Sequence, residues 1–381
     1  MCGVLYTALC GGVTMDNAVI KVISPNFELL GEICDYESLQ YTRSFYSVGE
    51  FELHISNNKQ NADVLVNGNI LLLDKAGQKA CIIRHRENEI DENGDETETL
   101  IIKGPQLKGI LTQRLIVPPV SGDGYDSVAG TQEQIMKHYV SAECITPEDA
   151  NRVMPRLVLA ADRGLGVQDR WRFRFDKLSD ALEQVGQYAK LGWDVTLDLE
   201  NEQMYFDVRL PHDRTANQDV LPPALFSTEF GNVKVPHFIQ SWIGAATQGY
   251  AGGQGDGVNR LIQQVGSSKG LDRMETFLDC SDAESAAELL TLGTQKLAEA
   301  APTQSFEFSV IPDRSMIYGQ DYFLGDTVTV WSKKWGITMD AQITQLKEVR
   351  EEAGTSLEIT FGAATPSLRK FIEHKVWRTV R

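Results

Sequence analysis

Residues 324–362 read LGDTVTVWSKKWGITMDAQITQLKEVREEAGTSLEITFG, a pattern typical of a small antiparallel β-meander. Apolar and polar residues alternate in short runs, which predicts strands because successive side chains on a strand point to opposite faces. The predicted strands are Val328–Trp331, Ala341–Thr344 and Leu357–Gly362. Turns are predicted at Lys333–Gly336 and Glu351–Gly354, where glycine and charged residues interrupt the alternation.

A second segment of nearly the same length, residues 67–104, follows the same order of strands and turns. It reads NGNILLLDKAGQKACIIRHRENEIDENGDETETLIIKG, with an acidic turn before the last strand. Asn93-Gly94 in that turn is a strong hairpin signal, since a type I′ turn needs positive φ at both central residues. Few residues are identical between the two segments, so two unrelated meanders are the alternative. We favour two related β-barrels, which in a trimer would present a ring with quasi-sixfold symmetry.

The pattern changes from β to helical after the first barrel. Pro118-Pro119 and a glycine-containing stretch mark the boundary. Thr131–Gln134 fits a capping box that starts one helix. A second helix is predicted from Asp176 or Ser179 to Gly192, with two strands directly after it. This order predicts a small α/β domain.

The remaining chain returns to β structure from Phe226, interrupted by a third predicted helix near residues 282–300. The predicted domains are a first β-barrel (1–117), an α/β insertion (118–223), a second β-barrel (224–249 and 303–364), a second small α/β insertion (250–302) and a basic C-terminal tail (365–381).

Composition restricts the classes of function. The net charge of -17 argues against wrapping nucleic acid by phosphate neutralisation, although an acidic channel wall that repels passing DNA stays possible. No apolar run is long enough to span a membrane, and no signal peptide opens the chain. The six cysteines are scattered, without the clustering that a disulfide framework or a zinc site needs.

No catalytic or cofactor motif is present, so we expect a non-enzymatic protein with no cofactor and no metal. Gly252–Gly257 is rich in glycine but lacks the form of a phosphate-binding loop, and we expect no buried strand that leads straight into it with a helix directly behind. A tightly turning loop between strands is the favoured interpretation. Val167–Phe175 alternates arginine with aromatic residues, which fits a nucleic-acid or sugar-binding face but fits a half-buried strand better.

The C-terminal tail differs in charge from the rest of the chain. Between Ser367 and Arg381 it carries five basic residues against the single acidic Glu373. A frayed end and a docking peptide for an acidic neighbour are equally good interpretations.

Several motifs, in this order and spacing, resemble the siphovirus and prophage tail-hub proteins. They are Phe51–Ile55, Leu71–Asp74, Phe230–Lys234, Tyr250–Gly257, Tyr322–Val330, Trp335–Asp340 and Leu357–Gly362. The resemblance implies an α+β, mainly β fold of two related β-barrels with two small α/β insertion domains, the phage tail-hub architecture. Many such proteins continue into a peptidoglycan-cutting domain. We expect that activity, if present, on another polypeptide.

The resemblance further implies a homotrimeric baseplate or tail-tip hub that closes the tail tube. Expected partners are a tail tube or distal tail protein, spike or fibre proteins and the tape measure protein, with DNA passing through the ring without specific binding. The expected location is the virion tail, assembled in the bacterial host cytoplasm. The alternatives are a peptidoglycan hydrolase or a carbohydrate-binding receptor module. Candidate interface residues are Gly253, Gly255, Gly257, Arg369, Lys370, Lys375, Trp377 and Arg378.

Overall fold

A computed structural model of the chain describes residues 19–74, 76–90, 96–121, 124–281, 283, 285–310, 316–352 and 354–362. These residues form a mainly β structure with three α-helices, as the sequence predicted. The first eight strands precede any α-helix. They are β1 (Ile20–Ile23), β2 (Leu29–Ile33), β3 (Ser38–Ser44), β4 (Glu50–Ser56), β5 (Ile70–Leu72), β6 (Ala80–Ile82), β7 (His85–Ile90) and β8 (Glu96–Pro105).

Helices and strands then alternate in the middle of the chain. The elements are β9 (Asp126–Thr131), α1 (Gln132–Val140), β10 (Leu157–Leu159), β11 (Gln168–Phe173), α2 (Leu178–Ala189), β12 (Gly192–Asp198), β13 (Gln203–Arg209), β14 (Asp213–Arg214) and β15 (Leu225–Ser227). The last part of the described chain comprises β16 (Val233–Ser241), β17 (Gln248–Gly252), β18 (Ile262–Gly266), β19 (Glu275–Asp279), α3 (Ala286–Glu299), β20 (Thr303–Val310), β21 (Thr327–Ser332), β22 (Ile337–Glu351) and β23 (Gly354–Gly362).

The largest sheet contains a continuous path of eight strands in the order β16-β20-β23-β22-β3-β4-β8-β7. Every neighbouring pair on this path is antiparallel. We call β3, β4, β8 and β7 the first unit, and β16, β20, β23 and β22 the second unit. They join where β3 pairs with β22. Within the described residues the two end strands, β7 and β16, have no partner on their outer side, so no pairing closes this sheet into a barrel.

The two segments singled out by their sequence pattern have the same strand order in the structure. In the first, β5 pairs with β6 and β7 with β8. In the second, the single fifteen-residue strand β22 pairs with β21 along its first half and with β23 along its second, with an irregularity between Ile343 and Gln345. Both segments thus bend at their middle strand, the first by a break between β6 and β7 and the second by an irregularity within β22. The acidic turn at 91–95 lies outside the described residues.

Separate groups of buried apolar side chains support these sheets. One lies inside the first unit and includes Tyr41 and Leu53, while another lies inside the second unit around Phe226 and Phe361. A larger one joins the β5–β6 hairpin to α1, α2 and the sheet of β12 and β13. A small fourth group lies between α3 and the sheet of β18, β17 and β19. The helical regions therefore pack beside the eight-stranded path and leave one of its faces open.

The helix boundaries confirm part of the sequence prediction and correct part of it. Thr131 forms the predicted capping box with Gln134. The second helix was predicted to reach Gly192 but ends at Ala189, because Lys190 adopts a left-handed conformation at φ 56. Gly192 instead begins β12, where a Cβ would lie 2.4 Å from the Phe45 ring. That glycine serves close packing and not helix termination.

Candidate functional site

The open face of the eight-stranded path is a concave polar groove of about 1030 Å³. Residues from all eight strands line it, including His85 on β7 and His237 on β16 at the two ends. Strand alternation produces this face: Leu39 and Tyr41 on β3 are buried in the core, whereas Gln40 between them lines the groove. The sheet is therefore apolar behind and polar in front.

The groove carries nearly balanced charge although the chain is strongly acidic. Four carboxylates line it, from Glu50, Glu52, Glu307 and Glu358. Three permanent cations also line it, from Arg84, Lys103 and Lys347. The excess negative charge of the chain, -17 in total, therefore lies mainly on other surfaces. An acidic wall that repels DNA is not what this face provides.

Glu52 is the centre of the ion-pair cluster on the groove face of the first unit. Its carboxylate accepts hydrogen bonds from His54 Nε2 at 2.7 Å and lies 3.0 Å from Lys103 Nζ. The hydrogen bond from His54, followed by that from Lys103, lowers the pKa of Glu52. On the second unit His237 Nδ1 lies 3.8 Å from Glu307. Glu52 and Lys103 thus form an ion pair on the groove surface, and His54 and His237 each lie beside a carboxylate.

Behind the groove, a network of ion pairs ties the β5–β6 hairpin to β22 of the second unit. Lys79 Nζ, next to β6, lies 2.7 Å from Glu348 on β22, and Arg350 lies 2.5 Å from the same carboxylate. Burial on its own raises the pKa of Glu348, but Lys79 and then Arg350 oppose it and the net shift is downward. The charged form of Glu348 therefore stabilises the packing of the β5–β6 hairpin against β22.

Phe45, just after β3, packs where both units and the first helical region meet. A Cβ on Gly325 would lie 2.2 Å from its ring, so that glycine is required by close packing as well as by its φ of +101. Nearby, the fully buried Lys108 donates to Ser44 O at 2.6 Å and to Trp193 O at 3.0 Å. Burial lowers the pKa of Lys108 to about 8. These two hydrogen bonds hold the end of β3 against β12.

The structure places Gly253, Gly255 and Gly257 in one loop between β17 and β18. A strand with mostly buried residues leads into this loop, and a short 3-10 turn and another strand follow it, so the strand–loop–helix order of a phosphate-binding loop is not formed, as predicted. Gly255 needs its φ of +101, and a Cβ there would lie 2.7 Å from Asn259 O. The loop is a tight turn between strands, as predicted, and its own packing accounts for Gly255.

The basic candidate residues lie outside the described residues: Arg369, Lys370, Lys375, Trp377 and Arg378. The structure therefore brings the three glycines together and leaves the tail residues as a prediction. The groove residues were missed at the sequence level. Their signal was present, because Gln40 and Lys347 are the polar positions of strands that alternate with buried residues.

The alternating segment that ends at Phe175 is a half-buried strand, as favoured from the sequence. Trp171 and Phe173 are buried, at 5% and 6% exposure, so their rings are not available to a glycan. A different exposed aromatic group lies near the β21–β22 turn, where Phe230 and Trp335 are 54% and 41% exposed. The described part of the chain contains no group of three metal-binding side chains and no helix long and apolar enough to cross a membrane.

Comparison with solved structures identifies the class of protein. The fold matches a 43 kDa tail protein of prophage MuSo2 from Shewanella oneidensis, with a TM-score of 0.58, 14% identity and coverage of 90% of this chain and 98% of that one. It also matches a tail protein from Neisseria meningitidis, with a TM-score of 0.56, 14% identity and coverage of 91% and 96%. Prophage tail protein gp18 from Listeria monocytogenes gives a TM-score of 0.52 at 14% identity, with coverage of 93% and 97%. The fold is one of phage tail proteins.

Residues 19–363 match the family described as Siphovirus ReqiPepy6 Gp37-like protein. The chain therefore belongs to this siphovirus tail protein family, which confirms the resemblance seen in its motifs. It is a phage tail protein and a component of the virion tail. None of the curated protein sequences compared with the chain matches it.

Proposed function

We propose that this tail protein is a homotrimeric hub at the tail tip, which closes the tail tube and connects it to spike or fibre proteins. In this proposal the first and second units belong to two related β-barrel domains. Residues 118–223 are an insertion between these domains, and residues 250–302 are an insertion within the second one. The protein acts as a scaffold without catalysis. It is assembled in the host cytoplasm.

One observation carries this proposal: the eight-stranded path consists of two similar four-stranded units, and among the residues that the structure describes its two end strands have no partner on their outer edges. Unpaired strand edges expose backbone N–H and C=O groups, which pair readily with another chain. Three copies arranged around an axis would join these edges and form a ring of six similar units. The polar groove would then face the inside of the ring.

The groove supports the passage of DNA without specific binding. Its balanced charges offer no continuous row of cations that would neutralise phosphates. A lining that mixes acidic and basic side chains in nearly equal number gives only a weak field at the axis, because opposite charges close together cancel at a distance. DNA and the tape measure protein would therefore move through without being held.

The oligomeric state tests the proposal directly. The full chain is measured by size-exclusion chromatography with light scattering over a wide range of concentrations, and the particles are imaged by negative-stain microscopy. We expect particles of three times the chain mass of 42.4 kDa with a central opening. Co-expression with the tail tube and spike proteins is expected to yield a stable complex. A strictly monomeric chain that joins neither partner would contradict the hub.

The loop of Gly253, Gly255 and Gly257 is proposed to contact a neighbouring subunit. Val258 beside it is fully exposed, at 101%, and is a better probe than the glycines, which the loop itself constrains. Val258→Glu is expected to weaken assembly without changing the unfolding midpoint of the monomer. Leu271→Glu is the control, because Leu271 is equally exposed at 103% but lies in the β18–β19 connection.

The basic tail is proposed to dock onto an acidic partner. Deletion of residues 365–381 is expected to reduce co-purification of the partner while leaving the trimer intact. Replacement of Arg369, Lys370, Lys375 and Arg378 by glutamine separates charge from chain length. Equal recovery of the partner with all three forms would argue against docking.

A further inference from the structure

We propose that the ring closes in one register, in which β16 of one copy pairs with β7 of the next and Ile239 lies opposite Glu87. This inference rests on the proposed hub. The direction of the two end strands is the first observation that supports it. Because all seven pairings along the path are antiparallel, the two end strands run in opposite directions. A rotated copy therefore continues the antiparallel alternation without a break.

The two faces of the sheet restrict the register further. His237 on β16 and His85 on β7 both line the groove. Ile239 and Ser241 share the face of His237, and Glu87 shares the face of His85, because side chains alternate along a strand. The joined sheet keeps one polar face only if these residues share a face. A shift by an odd number of residues would turn the side chains of one strand towards the core side.

The pairings within one copy connect the two edges at a defined level. Val233 on β16 is connected to Gly104 on β8 by a series of residues, each directly opposite the one before it on the neighbouring strand. The intermediate residues are Val310, Leu357, Glu348, Tyr41 and Phe51. Gly104 is the residue after Lys103, which pairs with His85. Val233 is thus level with Arg84, the residue before β7. A barrel without strand tilt would close with these two residues opposite each other.

Strand tilt moves this closing point. Strands in closed barrels tilt by about 35–45°, and eight strands spaced about 4.8 Å apart then accumulate a stagger of roughly 8–11 residues. The stagger must be even, for the reason given by the faces. A stagger of about eight residues towards the end of β16 places Glu87 opposite Ile239 and His85 opposite Ser241. This count of residues includes the extra residue in the bulge between Lys234 and His237. A stagger of the same size in the other direction would place β7 opposite residues that precede the start of β16, so the two strands could not pair.

The length of the regular part of β16 agrees with this register. After the bulge, the strand runs from His237 to Ser241, where it ends. Pro236 within the bulge has no N–H to donate, so the ladder stops there. The five residues of β16 then pair with the five residues from His85, nearly the whole of β7. A stagger larger by two residues would leave four pairs, and one smaller by two would leave only three.

Cysteine cross-linking of the full chain tests the register. All variants carry Glu87→Cys in a background where Cys2, Cys10 and Cys34 are replaced by serine, since the other native cysteines, Cys81, Cys144 and Cys280, are buried. Combination with Ile239→Cys is expected to give covalent trimers on a non-reducing gel under mild oxidation. Opposite residues on paired strands lie within the reach of a disulfide.

Three companion pairs distinguish the alternatives. Glu87→Cys with Ser241→Cys reports the next larger even stagger, and with His237→Cys the next smaller one. Combination with Gln240→Cys is the control, because that residue lies on the other face. Preferential cross-linking of any companion pair overturns the proposed register. Trimers by light scattering without cross-links in any pair would overturn the edge pairing while leaving the hub in place. A chain that is monomeric throughout and never cross-links overturns both.

Discussion

The two β-meanders, residues 67–104 and 324–362, bend by different means. In the first, the middle strand of the meander is broken into β6 and β7, which lie in different sheets. The link residues Ile83 and Arg84 donate backbone hydrogen bonds to Asn69 O and Lys103 O. In the second, β22 passes through the bend as one strand and absorbs it in an irregularity beside Thr344. A bulge gives a strand the local twist it needs to change partners.

This difference has a consequence for tolerance to change. A strand that serves two sheets couples their registers, so an error in one half is transmitted to the other. Two strands joined by a link can adjust separately. We therefore expect the second unit to be the more sensitive of the two.

Deletion of Thr344 is expected to have the largest effect. It removes the extra residue of the bulge and turns the following side chains over, which would place Lys347 in the core and the buried Leu346 in the groove. We expect a loss of more than about 4 kcal/mol, seen as insoluble or unfolded protein by circular dichroism and urea denaturation. Insertion of one glycine between Ile83 and Arg84 is the matched change in the first unit. An equal loss in both would remove the distinction.

Gly325→Ala is expected to be the next largest, because it disturbs the contact of Phe45 with the second unit. A Cβ there would lie 2.2 Å from the ring at a φ of +101, and overpacking and backbone strain together cost about 3 kcal/mol. The control is Gly319→Ala, which has a similar φ of +86 but open space around it and should cost about 1 kcal/mol. Thermal unfolding of both variants gives the comparison.

Glu348→Gln tests the ion pairs that join the β5–β6 hairpin to the second unit. We expect a loss of about 2 kcal/mol at neutral pH, less than for a fully buried pair, because Lys79 keeps 21% and Glu348 15% exposure. The folded state lowers the pKa of Glu348, so its contribution is present above the unfolded pKa and is lost as the pH falls through the folded one. The difference between wild type and variant in urea unfolding should therefore shrink below about pH 4. A constant difference across pH would contradict this.

Glu52→Gln is expected to have the smallest effect, under about 1 kcal/mol. The folded state lowers the pKa of Glu52 in the same direction, but its side chain is 36% exposed and the pairs with His54 and Lys103 are screened by solvent. Chemical denaturation at low and high salt measures it. A loss as large as that of Glu348→Gln would mean that the exposed pairs of the groove face stabilise the fold as much as the ion pairs behind it.

The sequence predicted the strands well where one face is buried, since alternation such as Phe51–Ile55 directly reflects β4. It also predicted α1, because the capping box at Thr131 is a pattern of residues close together in the sequence. It did not predict that β3 pairs with β22, because that contact joins residues far apart in the chain and leaves no local pattern. The groove was missed for this reason as well. The role of Gly192 was misjudged, because its constraint comes from the ring of Phe45 and not from its neighbours in sequence.

The pairing of β3 with β22 has a consequence for how the chain folds. Tyr41 lies opposite Glu348, so the partner of β3 is synthesised about 300 residues later. Contacts of such long sequence separation form slowly, and an unpaired strand edge exposed in the meantime invites association with other chains. We therefore expect the yield of folded protein to rise at low temperature and at slow rates of synthesis. We expect the joint between the two units to be the last part of the sheet to form.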